Sequence, residues 1–132
     1  MSHWKLACAL ALVAVAPVFA HHQFASEYDA NKPMTLTGTV QDVQWNNPHV
    51  HFTLEVKNQT GKNEMWTLET AKPAYLTAHG APRSAFKKGE HITVSAYGAT
   101  KEANAASARM ITMPDGKQIQ VADPTEDGGP AK

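Results

Sequence analysis

Two pairs of histidines carry the chemistry this sequence offers. His21 and His22 are adjacent in "VFAHHQFA" (residues 18–25), and His49 and His51 lie two apart in "NNPHVHFTLEV" (residues 46–56). If the chain is cut between Ala20 and His21, His21 carries a free amine beside its imidazole. The amine and Nδ1 can then chelate one ion as a bidentate unit. A third nitrogen, from His49 or His51, completes the T-shaped set known as a histidine brace. An N-terminal amine has an ordinary pKa of about 7.7–8.0, so losing its proton to a metal costs little. Nitrogen-rich planar or tetragonal sets favour Cu(II) over hard ions. His22 offers a variant in which amine, backbone amide and imidazole bind Cu(II) in plane. In a strand, residues two apart point the same way with Cα atoms about 6.5–7 Å apart. His49 and His51 are therefore expected to converge on one ion at about 2.0–2.1 Å each. The plainer readings are a mobile N-terminus and two polar residues on the solvent face of a half-buried strand; an HxH spacing alone has little specificity.

The other candidates are more ordinary. His79 closes a short helix, where it suits the last carbonyls better than a metal. His91 opens a strand at the surface. Met110 and Met113 are three apart in a strand and face opposite sides, a poor geometry for joint Cu(I) ligation. Met34 and Met65 fit core or edge positions, and Trp45 and Trp66 fit the core or rim. Glu69 shares the outer face with the histidines if its strand pairs with theirs, as a fourth ligand or a hydrogen-bonding partner to one. There is no Ser-His-Asp arrangement, phosphate-cradling Gly loop, HExxH or CxxC, so binding or carriage is expected rather than turnover.

The elements that would present these residues begin with a leader. Lys5, the uncharged apolar run from Leu6 to Val15, and the small residues of Val18-Phe19-Ala20 read as a signal peptide over residues 1–20. The run is too short to span a bilayer, so no membrane segment is expected after cleavage. Cys8, the sole cysteine, departs with the leader, and "KLAC" has too little apolar sequence before it for a lipoprotein. The mature chain is then exported, to the periplasm or beyond, with no disulfide. Of twelve Lys and Arg, eleven remain against twelve Asp and Glu. A chain so close to neutral lacks the basic groove a nucleic-acid binder needs, so the expected partners are a metal ion and, in second place, a periplasmic protein.

About 112 of the 132 residues remain after cleavage, enough for one domain. Residues 21–33 read as an arm that Phe24 and Tyr28 could pin. A single β domain is expected over 34–122, then a disordered tail over 123–132. "MTLTGTVQDVQW" (34–45) reads as a strand that slips register near Gln41-Asp42. In "HVHFTLEV" (49–56), Val50, Phe52, Leu54 and Val56 share one face. "EMWTLET" (64–70) is a third strand. Pro73 and Gly80 bracket a short helix. "HITVSAYG" (91–98) is a strand, and "SARMITM" and "KQIQVA" form a closing hairpin around Pro-Asp-Gly. The order predicts an all-β fold: a small five- to six-stranded barrel of the OB type, with one short helix between the third and fourth strands. A β-sandwich is the alternative.

The His-His-x-Phe start (His21, His22, Phe24), the "LTGTV" strand (Leu36 to Val40), the turn Trp45, Asn47, Pro48, His49, and the Gly-led segment Gly89 to Gly98 resemble domain of unknown function 6152, a family of small exported bacterial proteins. The resemblance covers about residues 21–121. It implies an exported all-β domain and brings no established activity or metal. Two expectations follow. In the first, copper is carried or buffered through His21 and His49, with His51 or His22 auxiliary. In the second, the chain is a non-enzymatic binding module with no metal, whose histidines are surface residues or a pH-sensitive rim.

Overall fold

A computed structural model of the chain describes residues 23–128. The proposed leader, its cleavage point, His21 and His22 lie outside the described residues, as do residues 129–132. The chain begins with a helical turn, α1 (residues 23–27). There follow β1 (Tyr28–Gln44), β2 (His51–Lys57), β3 (Asn63–Glu69), α2 (Pro73–Ala78), a 3-10 turn (Arg83–Ala85), β4 (His91–Ala99), β5 (Ala105–Thr112) and β6 (Gln118–Gln120).

The strands close into a ring. β1 lies between β2 and β4, both antiparallel to it, and β2 and β4 continue to β3 and β5. β3 and β5 then pair in parallel, Thr67 with Ala105 and Glu69 with Ser107. β6 extends the sheet from the other side of β5. The fold is therefore a five-stranded OB-like barrel with a sixth short strand, and α2 stands between the third and fourth strands. The β3–β5 pairing excludes a sandwich, because it joins the two ends of one sheet.

β1 serves both halves because it is long and bent. Gly38 faces Val56 on one side and Ile92 on the other. A Cβ here would lie 2.1 Å from the Glu55 carbonyl oxygen, so glycine is what lets the strands approach. Register slips between Val40 and Asp42, leaving Gln41 as the bulge that adds twist. Inside the ring, Val50, Phe52, Leu54 and Val56 are all buried, as the alternation predicts. α2 plugs one end through Leu76, which has no exposed surface. Pro73 starts α2, whose last turn ends at Gly80 with φ +84°, and the Ala81 N–H returns to the Leu76 carbonyl at 2.8 Å, a left-handed stop that suits glycine.

Two boundaries differ from expectation. β1 begins at Tyr28, within the segment read as an arm. Tyr28 pairs with Ala99 and Pro33 with Tyr97. The residues between bulge outward around an Asp29 side chain that accepts the Asn31 N–H at 2.8 Å, so no alternation marks them. Residues 123–128, expected as part of a disordered tail, form a turn against the barrel. The Asp123 carboxylate accepts the Thr125 N–H at 2.8 Å and its hydroxyl at 2.7 Å. Among the described residues, no helix is long and apolar enough to cross a membrane.

Candidate functional site

The start of β1, the entry to β2 and the end of β3 meet at one rim of the barrel. Val50 donates to the Ala71 carbonyl at 3.1 Å and accepts from Thr70 at 2.8 Å, which sets His49 beside Thr70. The His49 Nδ1 lies 2.9 Å from the Thr70 carbonyl oxygen. A carbonyl only accepts, so the ring proton is on Nδ1 and a neutral His49 has a bare lone pair on Nε2. That Nε2 is 3.5 Å from Glu69 Oε1, and Nδ1 is 3.5 Å from Asp127 Oδ1. The ring is about a third exposed.

Glu69 is the hub of the rim. Its Oε2 accepts a short hydrogen bond from the Tyr28 hydroxyl, and it sits directly across the ladder from His51. Burial, then the hydrogen bond to Glu69 and the nearby negative charges, push the Tyr28 hydroxyl far above its ordinary pKa, so it remains a donor. Tyr28 and Glu69 separate two clefts. One, about 290 Å³, is lined by Gln23, Phe24, His49, Glu126 and Asp127, with Tyr28 and Glu69 as its far wall. The other, about 350 Å³, holds His51 with Glu27, Lys101 and Glu102. Carboxylates outnumber cationic groups in both, which favours a positively charged guest.

His49 and His51 therefore line different clefts. The two-residue rule fails because β2 begins only at His51, and His49 belongs to the irregular segment that follows the Asn-Asn-Pro turn. Among the described residues, no three His, Cys, Asp or Glu side chains are grouped to hold a metal ion. Glu69 and Asp127 flank opposite nitrogens of the His49 ring and do not converge. His79 donates from Nδ1 to the Tyr75 carbonyl at 2.8 Å and stacks on the Tyr75 ring at 3.8 Å, the helix-end role expected of it. His91 is exposed, 3.4 Å from the Thr39 hydroxyl.

Three residues of the rim have roles that the sequence reading did not assign to them. Tyr28 was read as a pin, and it is also the partner of Glu69. Arg109 occupies a bulge in β5, since Ser95 pairs with Met110 and Ala96 with Ala108. The bulge turns its guanidinium between the rings of Phe24 and Tyr97, 5.5 and 5.7 Å from their centroids. It also donates to the Gly128 carbonyl at 2.7 Å, joining α1, β4 and the C-terminal turn. Asp127 completes that turn, accepting the Asp123 N–H on Oδ2 at 2.5 Å. The legible signal was "DPTED", whose Asp-x-Thr is turn chemistry.

Burial pushes the Asp127 carboxyl above its ordinary value of 3.8, against the opposing pull of the Asp123 N–H and His49. The folded state thus holds this proton more tightly than the unfolded chain does. The resulting stability is fully present below the unfolded pKa and is lost as pH rises through the folded one. In Asp127→Asn, whose amide oxygen still accepts the Asp123 N–H, this loss is expected to vanish. Melting temperatures measured from about pH 3 to about pH 7 should therefore diverge in the variant's favour as pH rises. A constant offset would count against it.

Two crystal structures of the mitochondrial single-stranded DNA binding protein Rim1 from S. cerevisiae are similar to this chain. One aligns with a TM-score of 0.46 and 13% identity, covering 63% of this chain and 93% of that one. The other, selenomethionine-labelled, aligns with a TM-score of 0.44 and 10% identity over 70% and 97%. No curated protein matches the chain. The match that spans most of the sequence is to a family model, over residues 9–109: the chain belongs to the family of unknown function DUF6152.

Proposed function

We propose that this chain is an exported metal-binding protein that carries or buffers copper as Cu(II) at the His49 cleft. The observation that carries the reading is the fixed His49 ring. Its Nδ1–H is committed to the Thr70 carbonyl at 2.9 Å, which leaves Nε2 as the ligand nitrogen. Metal-binding imidazoles are commonly oriented in this way. Gln23 lines the same cleft. His21 and His22 directly precede Gln23 in the chain. The amine and imidazole of His21 would supply two nitrogens and His49 the third. His22 is the alternative donor at the N-terminus, and His51 the auxiliary one across Glu69.

The test uses protein processed by its native export route. One equivalent of Cu(II) is added, and a native mass spectrum and an EPR spectrum are recorded for wild type and His49→Ala. A mass beginning at His21, one retained copper, and nitrogen hyperfine structure that weakens in His49→Ala are expected. Copper that washes off under a competing chelator, or a spectrum unchanged in His49→Ala, would overturn the reading. The chain would then be better described as a metal-free binding module.

A further inference from the structure

Glu69 Oε1 and His49 Nε2 face each other at 3.5 Å. In the neutral ring with Nδ1–H donated to the Thr70 carbonyl, Nε2 would present a lone pair to Oε1 across this gap. The distance is longer than the 2.7–3.2 Å of an N–H···O bond. Two ligands of one tetrahedral ion, each about 2.0–2.1 Å from the metal, stand roughly 3.3–3.5 Å apart. The gap therefore has the size and the charge of a tetrahedral cation's place between two donors, and a planar Cu(II) would draw the same two atoms to about 2.8–3.0 Å.

The other carboxylate oxygen is fixed. Glu69 Oε2 accepts the hydrogen bond from Tyr28, which leaves Oε1 as the one free donor. Tyr28 is itself held by pairing with Ala99 and by the Phe24 ring, 5.8 Å away between centroids. Among the described residues, the cleft's lining has no thiolate or thioether. Nitrogen and carboxylate oxygen without sulfur suit Cu(II) and Zn(II) and are a poor match for Cu(I).

Resting on the metal reading above, we infer that Glu69 is the carboxylate ligand beside His49, that Tyr28 is its positioning residue, and that the cleft accepts divalent ions and releases Cu(I). No chemical step is involved; the claim concerns which ion is held and by which atoms.

The experiment titrates Cu(II), Zn(II) and, anaerobically, Cu(I) into the processed full chain against competing chelators. Wild type, Glu69→Gln and Tyr28→Phe are compared, with circular dichroism to establish that each is folded. Glu69→Gln is expected to weaken Cu(II) and Zn(II) by about 100-fold. Tyr28→Phe should weaken them about 10- to 100-fold, the range seen when a ligand's supporting partner is removed. Both should shift the Cu(II) EPR parameters, a change that a merely structural role for Tyr28 would not produce. Cu(I) should bind wild type at least about 100-fold more weakly than Cu(II).

If wild type binds Cu(II) and His49→Ala abolishes it, while Glu69→Gln and Tyr28→Phe keep wild-type affinity and spectrum, the role of Glu69 is overturned and the copper reading survives. Cu(I) held as tightly as Cu(II) would overturn the ion class. If wild type binds neither divalent ion, both proposals fall, and the 3.5 Å pair is an ion pair of protonated His49 with Glu69.

Discussion

A processed chain carrying one extra residue ahead of His21 is expected to hold Cu(II) at least about 100-fold more weakly than a chain that begins at His21. Removing only the supporting partner of a ligand costs about 10- to 100-fold, so losing a direct ligand should cost no less than the upper end. The extension replaces an amine of pKa about 7.7–8.0 by a peptide N–H. The peptide nitrogen gives up its proton far less readily and has no free lone pair. It also breaks the chelate that made His21 one bidentate unit. Nothing in the barrel changes, so the apo protein should melt at the same temperature in both forms. Competition titration of the two forms with Cu(II) reads the difference. Equal affinities would remove the amine from the site and leave the binding to imidazoles alone.

The second large effect lies in the core. Phe52→Ala is expected to destabilise the fold by about 3–5 kcal/mol, the range for an aromatic deleted from a packed interior. Phe52 is 2% exposed and stacks on Phe86, with ring centroids 6.2 Å apart. Phe86 in turn meets Trp45 at 6.3 Å. The three rings join β2, the segment after the 3-10 turn and the exit of β1. A cavity there cannot be closed by moving one side chain. Phe52→Leu, which keeps most of the volume, should cost much less. Urea unfolding of the three proteins tests both statements, and an Ala variant no worse than the Leu variant would show that the site collapses freely.

Local pattern and pairwise closure were unequally visible in the sequence. The alternation of Val50, Phe52, Leu54 and Val56, the bulge near Gln41, and the Pro73-to-Gly80 helix are written in neighbouring residues. Each has a short-range cause that survives in the structure. The parallel β3–β5 pairing has none, because Thr67 and Ala105 are far apart in sequence. Only the order of elements pointed to a ring. The same limit governs the rim. Glu69 was legible on one condition, that its strand pair with the strand carrying His51, and the ladder meets that condition. His49 was placed on the regular strand, but β2 starts at His51, and the Val50 backbone beside it pairs instead with Thr70 and Ala71. Arg109 and Asp127 act through a bulge and a folded-back turn, and polar composition alone gave no way to tell such a turn from a loose tail.

The parallel seam between Thr67–Glu69 and Ala105–Ser107 also has a consequence for timing. The ring cannot shut until chain beyond residue 105 is available to pair with β3. Contacts so distant in sequence make folding slower than local ones do. A chain made from its N-terminus onward therefore stays open until most of it has been made. Glu69 and Ser107, partners across that seam, both line the His49 cleft, and Asp127 joins them only from the last turn. The cleft thus comes into being at the moment of closure, and an ion met earlier would find scattered donors with no common centre.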